Sequence, residues 1–229
     1  MKPFLSAALT LAFSLTAHAG VVIVQDVEQT GPMPLKTRMT IKAEGEKARV
    51  DIGKEISSIV DSESGEVSSL MHAQKIAMQL PKGALDAMKE KVSDAGKNEG
   101  PDIKPTGKKE KINGFDCEEY AGTFQGLDVA YWVTNDLPNA SAVMDQLGKL
   151  SGGANPFKGV LKNGEDFPGF PIRTVITTPQ AGTSTMTIVS VNEEEIPAAE
   201  FEVPKNYKSM ELPSMPGQGE GVPSLPGTP

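Results

Sequence analysis

The run Leu35-Lys36-Thr37-Arg38-Met39-Thr40-Ile41-Lys42 alternates strictly along the chain. Leu35, Thr37, Met39 and Ile41 fall on one side of an extended backbone, and Lys36, Arg38, Thr40 and Lys42 on the other. That is the period-two pattern of a strand with one wet face. Residues 47–52 repeat it, with Ala48, Val50 and Ile52 turned inward. Before them, residues 21–28 are rich in valine and isoleucine; after them, residues 56–61, 67–72 and 75–80 extend the series. Glu44-Gly45-Glu46, Ser62-Glu63-Ser64-Gly65 and His72-Ala73-Gln74 separate these runs with turn-forming composition. A meander of short strands is expected.

The period then changes. Pro81 suits the first turn of a helix, where its missing N–H costs nothing, and Leu85, Met88 and Val92 recur at helical spacing as far as Gly96. Residues 97–106 contain Gly100-Pro101 and Pro105 and are expected to form a loop. Asn113-Gly114 marks a tight hairpin between 109–112 and 115–120, in which Phe115 and Cys117 alternate with Asp116 and Glu118 and point inward. Gly126 divides 120–124 from 127–134. A second helix is expected from near Asn139, a capping residue, with Val143, Leu147 and Leu150 as its stripe and Ala140 and Met144 beside it. It should stop at Ser151-Gly152-Gly153, before a loop over 155–170 and a last hairpin from 172–177 and 183–191. The order of strands, helix, strands, helix, strands makes a mainly β (α+β) fold: one antiparallel sheet with two helices packed against a single face.

The ends have a different character. Lys2, the apolar run 4–15 and Ala17-His18-Ala19 have the layout of a secretory signal peptide, expected over residues 1–19, with cleavage before Gly20. The apolar run is shorter than the roughly 20 residues that cross a bilayer as a helix, and no later stretch reaches that length. No cysteine follows the cleavage site to take a lipid anchor. Residues 211–229, dense in proline and glycine, are expected to be a disordered tail. A single domain over 20–210, in the periplasm or outside the cell, is the expectation.

Charge narrows the partners. The formal net charge of -8 becomes -9 once Lys2 leaves with the signal. Nucleic-acid binding needs clustered Lys and Arg, and the one short cluster, Lys108-Lys109-Glu110-Lys111, is interrupted by a glutamate and fits a solvated hairpin edge. Cys117 is the sole cysteine, which excludes an internal disulfide, and its neighbours Asp116, Glu118 and Glu119 disfavour a thiolate.

Candidate chemistry is sparse. His18 leaves with the signal, so His72 is the one imidazole of the mature chain, with Ser68 and Ser69 nearby but in no nucleophile-elbow context. One histidine and one cysteine cannot fill a zinc site. Neither Asp61, Glu63 and Glu66 around Gly65 nor Glu193-Glu194-Glu195 has the alternating spacing of a calcium loop, so no metal, cofactor or catalytic residue is expected. The residues that invite function are apolar: Met39, Ile41, Tyr131, Trp132, Met186 and Ile188, which could line either a core or a cavity for a lipid or other apolar guest. The expected function is a non-enzymatic binding or carrier protein. The alternative is an envelope protein–protein interaction module without a cavity, docking a partner at a sheet edge or through the tail.

Several segments carry a family resemblance. The hairpin from Gly107 to Tyr120, Gly-Lys-Lys-Glu-Lys-Ile-Asn-Gly-Phe-Asp-Cys-Glu-Glu-Tyr, is the clearest. Residues 39–49, 61–70, Tyr131-Trp132-Val133 and the closing Phe201-Glu202-Val203-Pro204-Lys205-Asn206-Tyr207 add to it in order. Together they resemble DUF4412, an uncharacterised family of exported bacterial proteins, which is in turn similar to the LolA/LolB-like lipoprotein-carrier superfamily. That resemblance implies an incomplete antiparallel β-barrel wrapped around helices, with a hydrophobic cavity. It transfers no functional residue.

Overall fold

A computed structural model describes residues 19–80, 100–150, 161–179 and 181–211. Its strands form one open sheet of 12 members. In chain order they are β1 (Gly20–Gln29), β2 (Leu35–Glu44), β3 (Lys47–Ile52), β4 (Ile56–Asp61), β5 (Glu66–Met71) and β6 (Ile76–Gln79). Then come β7 (Asp102–Ile112), β8 (Phe115–Phe124), β9 (Leu127–Thr134), β10 (Phe170–Thr178), β11 (Gly182–Glu194) and β12 (Lys208–Glu211). Across the sheet the order is β12-β6-β5-β4-β3-β2-β1-β11-β10-β9-β8-β7. Two meanders, β1–β6 and β7–β11, therefore meet at the antiparallel pair of β1 and β11.

Strands β3 and β4 coincide with their alternating runs, and most others with theirs to within a few residues. Three features differ from expectation. The stretch 97–106 is not all loop, because β7 begins at Asp102 and runs through Pro105. Pro105 is tolerated there since β7 is the edge of the sheet, and the ladder to β8 breaks between Pro105 and Lys109. Close pairing is helped by Gly122, where a Cβ would run into the Asp102 carbonyl. Second, the sheet is not wholly antiparallel: β12 pairs parallel with β6. Third, the fold does not have two helices among the described residues. The one α-helix there is α1 (Ala140–Leu150), and the helix expected over 81–96 falls outside them. So do residues 1–18 of the expected leader and the tail from 212.

Helix α1 follows the predicted stripe at Val143 and Leu147. Val143 is 1% exposed, and Ala140, Met144 and Leu147 pack with it against Val21, Ile23, Ile41, Ile172 and Ile188. Gln146 is also buried, and its Nε2 donates to the Gly45 carbonyl at 2.7 Å, tying the helix to the β2–β3 turn. On the opposite side of β1, Val22 and Val24 meet Ile196 and Phe201, the latter from the 3-10 turn Ala198–Phe201. The first half of β1 is thus covered on both faces, which explains its unbroken apolar run.

Candidate functional site

Residues opposite one another in a β ladder share a face, so the register assigns each side chain of the first meander to a side. One row runs Ile188, Gln25, Met39, Ile52, Ile56, Met71, Ile76 across seven strands, β11 to β6. At about 4.8 Å per strand it extends for roughly 29 Å. The next row on the same face is Val191, Ile23, Ile41, Val50, Ser58, Ser69, Met78, and the third holds Val21, Ala43, Ala48, Val60 and Val67. No ionisable side chain from β1 to β6 stands in these three rows. Their burial is graded. Ile188 is 8% exposed, whereas Ile52 and Ile56 are 37% and 42% exposed. The face starts as core beneath α1 and becomes a half-open apolar wall.

Five of the six sequence candidates lie together on this face. Met39 and Ile188 share the first row, Ile41 stands in the second, and Met186 and Tyr131 are joined through Thr174 in a row on the other side of the first. Gln25, the one polar residue of the long row, donates from Nε2 to the Met39 sulfur at 3.1 Å. Tyr131 meets Phe167 edge-on, ring centres 4.9 Å apart, and burial pushes its phenol up from the ordinary value. Trp132 alternates with Tyr131 and stands level with Arg173 and Glu119, packed against the main core. Trp132 thus joins the cluster that holds Ile188, while Tyr131 meets Phe167.

The opposite face of the same strands is built from charge. Its rows contain Lys42 and Arg49, then Asp51 and Ser57. Arg49 Nε donates to Asp51 Oδ1 at 2.6 Å, and Lys42 Nζ lies 2.9 Å from Glu200 Oε2 and 3.7 Å from Asp51 Oδ2. Ser57 Oγ sits 2.5 Å from Asp51 Oδ1 and 2.6 Å from His72 Nε2, and His72 Nδ1 sits 2.6 Å from the Tyr207 hydroxyl. Burial alone would raise the Asp51 carboxyl. The hydrogen bonds from Ser57 and Arg49, with the charges of Arg49 and Lys42, outweigh it and hold the group below the usual carboxylate range.

A serine against a histidine invites a nucleophile reading, but the proton inventory opposes it. An ionised carboxylate only accepts, so the single Ser57 proton points to Asp51. His72 Nε2 must then donate to Ser57 Oγ, the reverse of what a general base does for a serine nucleophile. Ser57 is also 1% exposed, out of reach of a substrate. The hydrogen bond between His72 Nδ1 and the Tyr207 hydroxyl completes the relay. Together with Val203, Tyr207 covers Ile59, Leu70 and Ala77, so this cluster works as a clasp between the sheet and the C-terminal segment. Sequence reading placed Ser68 and Ser69 near His72 and missed Ser57. The tight β3–β4 turn was a usable signal, since it sets Asp51 opposite Ser57. Tyr207, 135 residues away from His72, left no such signal.

The second meander carries a polar groove of about 390 Å³ lined by Lys109, Glu110, Lys111, Asp116, Cys117, Glu118, Val133 and Asn135. Cys117 is 3% exposed, as its inward position implied. Burial is the main cause that pushes its thiol up. The Ile112 backbone hydrogen bond and Arg173 pull the other way, while Glu110 and Asp116 add to the rise. A protonated thiol is a poor nucleophile. Among the described residues no group of His, Cys, Asp and Glu could hold a metal ion, and no helix is long and apolar enough to cross a membrane.

A family model described as a domain of unknown function, DUF4412, matches residues 25–207. The chain belongs to the DUF4412 family. The DUF4412 span contains all six sequence candidates and ends on Tyr207, the residue that closes the polar clasp. Among solved structures, the chain is similar to PNGF-II at 13% identity and a TM-score of 0.41, with 85% of this chain and 31% of that one covered. This DUF4412 protein therefore spans about a third of that structure's length. It is also similar to a LolA superfamily protein from Nitrosomonas europaea, at 11% identity and a TM-score of 0.34, covering 82% of this chain and 91% of that one. A DUF1329 family protein from Desulfovibrio piger gives 12% identity and a TM-score of 0.35, covering 82% and 91%. A comparison with curated proteins found no match.

Proposed function

We propose that this chain is a non-enzymatic protein of the bacterial envelope that binds or carries a lipid or other apolar moiety on the inner face of its sheet. The observation that carries this reading is the row from Ile188 to Ile76, which is apolar but for Gln25 over seven strands, buried at Ile188 and most exposed at Ile52 and Ile56. A face meant only as core gains most when it is fully covered, because each apolar side chain removed from water contributes about 1.5–3 kcal/mol. Ile52 and Ile56 forgo part of that gain. Methionine adds to the case: Met39, Met71, Met78 and Met186 stand on this face, and their unbranched, polarisable chains adapt to guests of varied shape. The export signal read from the first 19 residues fits an envelope location.

The test is direct. Protein purified from its host and examined by native mass spectrometry should carry a co-purified lipid, and it should take up a fluorescent fatty acid. Ile56→Asp and Met71→Asp, which set a carboxylate in the middle of the row, should reduce that uptake at least about tenfold. Protein that arrives empty and leaves the fatty acid in solution would defeat the proposal.

A further inference from the structure

The exposed large hydrophobics of the described residues are Met33, Leu35, Ile52, Ile56 and Met210. Four of these five belong to one end of the sheet, since the β1–β2 and β3–β4 turns both lie there. The β1–β2 tip is the most prominent. Met33 is 79% exposed and Leu35 52%, each next to Pro34, with Pro32 on the other side of Met33. The turn after β3 closes where the Gly53 N–H donates to the Arg38 carbonyl at 2.8 Å, so β2 continues past β3 for Leu35, Lys36 and Thr37. Strand rise makes that an overhang of about 10 Å.

This overhang is a fixed projection. The tip between β10 and β11 lies alongside it, and the two interlock. Thr30 N–H donates to the Thr183 carbonyl at 2.9 Å, and Thr183 N–H donates to Thr30 Oγ1 at 3.2 Å. Gly31, at φ +109°, has no room for a Cβ against the Ala181 carbonyl, and Gly182, at φ +86°, has none against that of Thr30. Flanking prolines stiffen the apex further. Exposed apolar side chains are therefore held out rigidly, where a soluble surface gains nothing from them.

The charge pattern selects the partner. From Gln29 to Leu35, and from Thr178 to Thr185, the sequence contains no ionisable side chain. The first charges below the apex are Glu28 and Lys36, which face each other at 3.7 Å, then Asp26 and Arg38, at 2.7 Å. A charge-free apolar cap over a belt of balanced pairs is a rare environment in a chain of net charge -8. The apex projects about 10 Å past β3 and carries no charge for a folded partner to complement, which fits a fluid, uncharged surface that deforms around it. We propose that the paired tips, led by Met33 and Leu35, dock on the interfacial region of a lipid bilayer. The surface stands without the cargo reading. With it, the docked tip would bring the open rim at Ile52 and Ile56 close to the lipid.

The experiment compares the full chain with a Met33→Asp, Leu35→Asp double variant in vesicle co-sedimentation. Both carry the same N-terminal run, so the difference reports the tip alone. Loss of two interfacial side chains should lower the partition coefficient at least about tenfold, with the melting temperature unchanged because neither residue is buried. Phosphatidylcholine vesicles should bind at least as well as phosphatidylethanolamine vesicles containing phosphatidylglycerol, and added salt should narrow the gap by screening the acidic chain. A Met33→Trp variant should show a blue shift in emission when vesicles are added. Equal binding by parent and double variant would overturn the proposal. So would binding confined to the anionic vesicles, or absence from both vesicle types with Met33 cross-linking to an envelope protein. Failure of fatty-acid uptake with vesicle binding intact would sink the cargo reading and leave this one standing.

Discussion

The two faces of the first meander are made from the same strands and differ in almost every physical respect. The inner face is apolar, without an ion pair from β1 to β6, and half-open at Ile52 and Ile56. The outer face is charged, yet around Asp51 and Ser57 it is satisfied, with Ser57 1% exposed and covered by a C-terminal segment that supplies Glu200, Val203 and Tyr207. Polar groups are thus closed in and apolar groups left accessible, the inverse of a plain sheet packed on a core. On the proposed reading, stability and binding are divided between the faces. Hydrogen bonds and a small apolar cluster hold the outer side, and among the described residues the inner side stays partly exposed at Ile52 and Ile56.

Truncation separates the faces most strongly. Leu70→Ala removes a side chain of 0% exposure beneath Val203 and Tyr207 and should lower stability by about 2–5 kcal/mol in chemical denaturation. Ile56→Ala, on the inner wall, should cost less than about 1 kcal/mol and show its effect in ligand uptake instead. Equal costs would make both faces ordinary core and remove the contrast.

A smaller effect is expected at Asp51. Asp51→Asn withdraws the charge that Arg49 and Lys42 share and should lower stability by about 1–3 kcal/mol at neutral pH. Since the folded-state pKa of Asp51 lies below its ordinary value, its contribution is complete above about pH 3.9 and is lost as pH falls below that. Melting curves recorded down through this range should converge for parent and variant. Curves that keep a constant separation would show that Asp51 is not the titrating group.

The least of the three is Tyr207→Phe. It keeps the ring that covers Ile59, Leu70 and Ala77 and removes the hydroxyl that hydrogen-bonds His72, for an expected loss of about 1 kcal/mol. Tyr207→Ala should cost several times more. A Phe variant as damaging as the Ala variant would shift the weight of the clasp from packing to the relay.

Alternation was the most legible feature of the chain. Lys36, Thr37, Arg38 and Met39 already separate the faces by themselves, and the tight hairpins at Gly45 and Asn113-Gly114 fix the register that propagates the separation. Local signals of this kind survive into the fold because the strands at these two hairpins are joined by only two residues. Pro105 misled, because a proline reads as a loop until the strand holding it is known to be an edge. Strand β12 was illegible for a related reason. Its four residues are all exposed and pair in parallel with β6, so no alternating burial marks them. At the site, the apolar candidates could be named from composition, but which of them share a surface depended on ladders such as Met186 to Thr174 to Tyr131. The Ser57–His72–Tyr207 relay joins two residues of the first meander to one 135 residues further on.

The central place of β1 has a consequence for how the molecule is made. Its partners are β2, a few residues away, and β11, whose ladder joins Gly20 to Glu194 and Gln29 to Ser184. A ribosome or translocation channel delivers the first strand early and its second neighbour near the end. Throughout that interval Val21, Val22, Ile23 and Val24 lack half their hydrogen-bonding ladder, and they are the segment most in need of a chaperone's shelter.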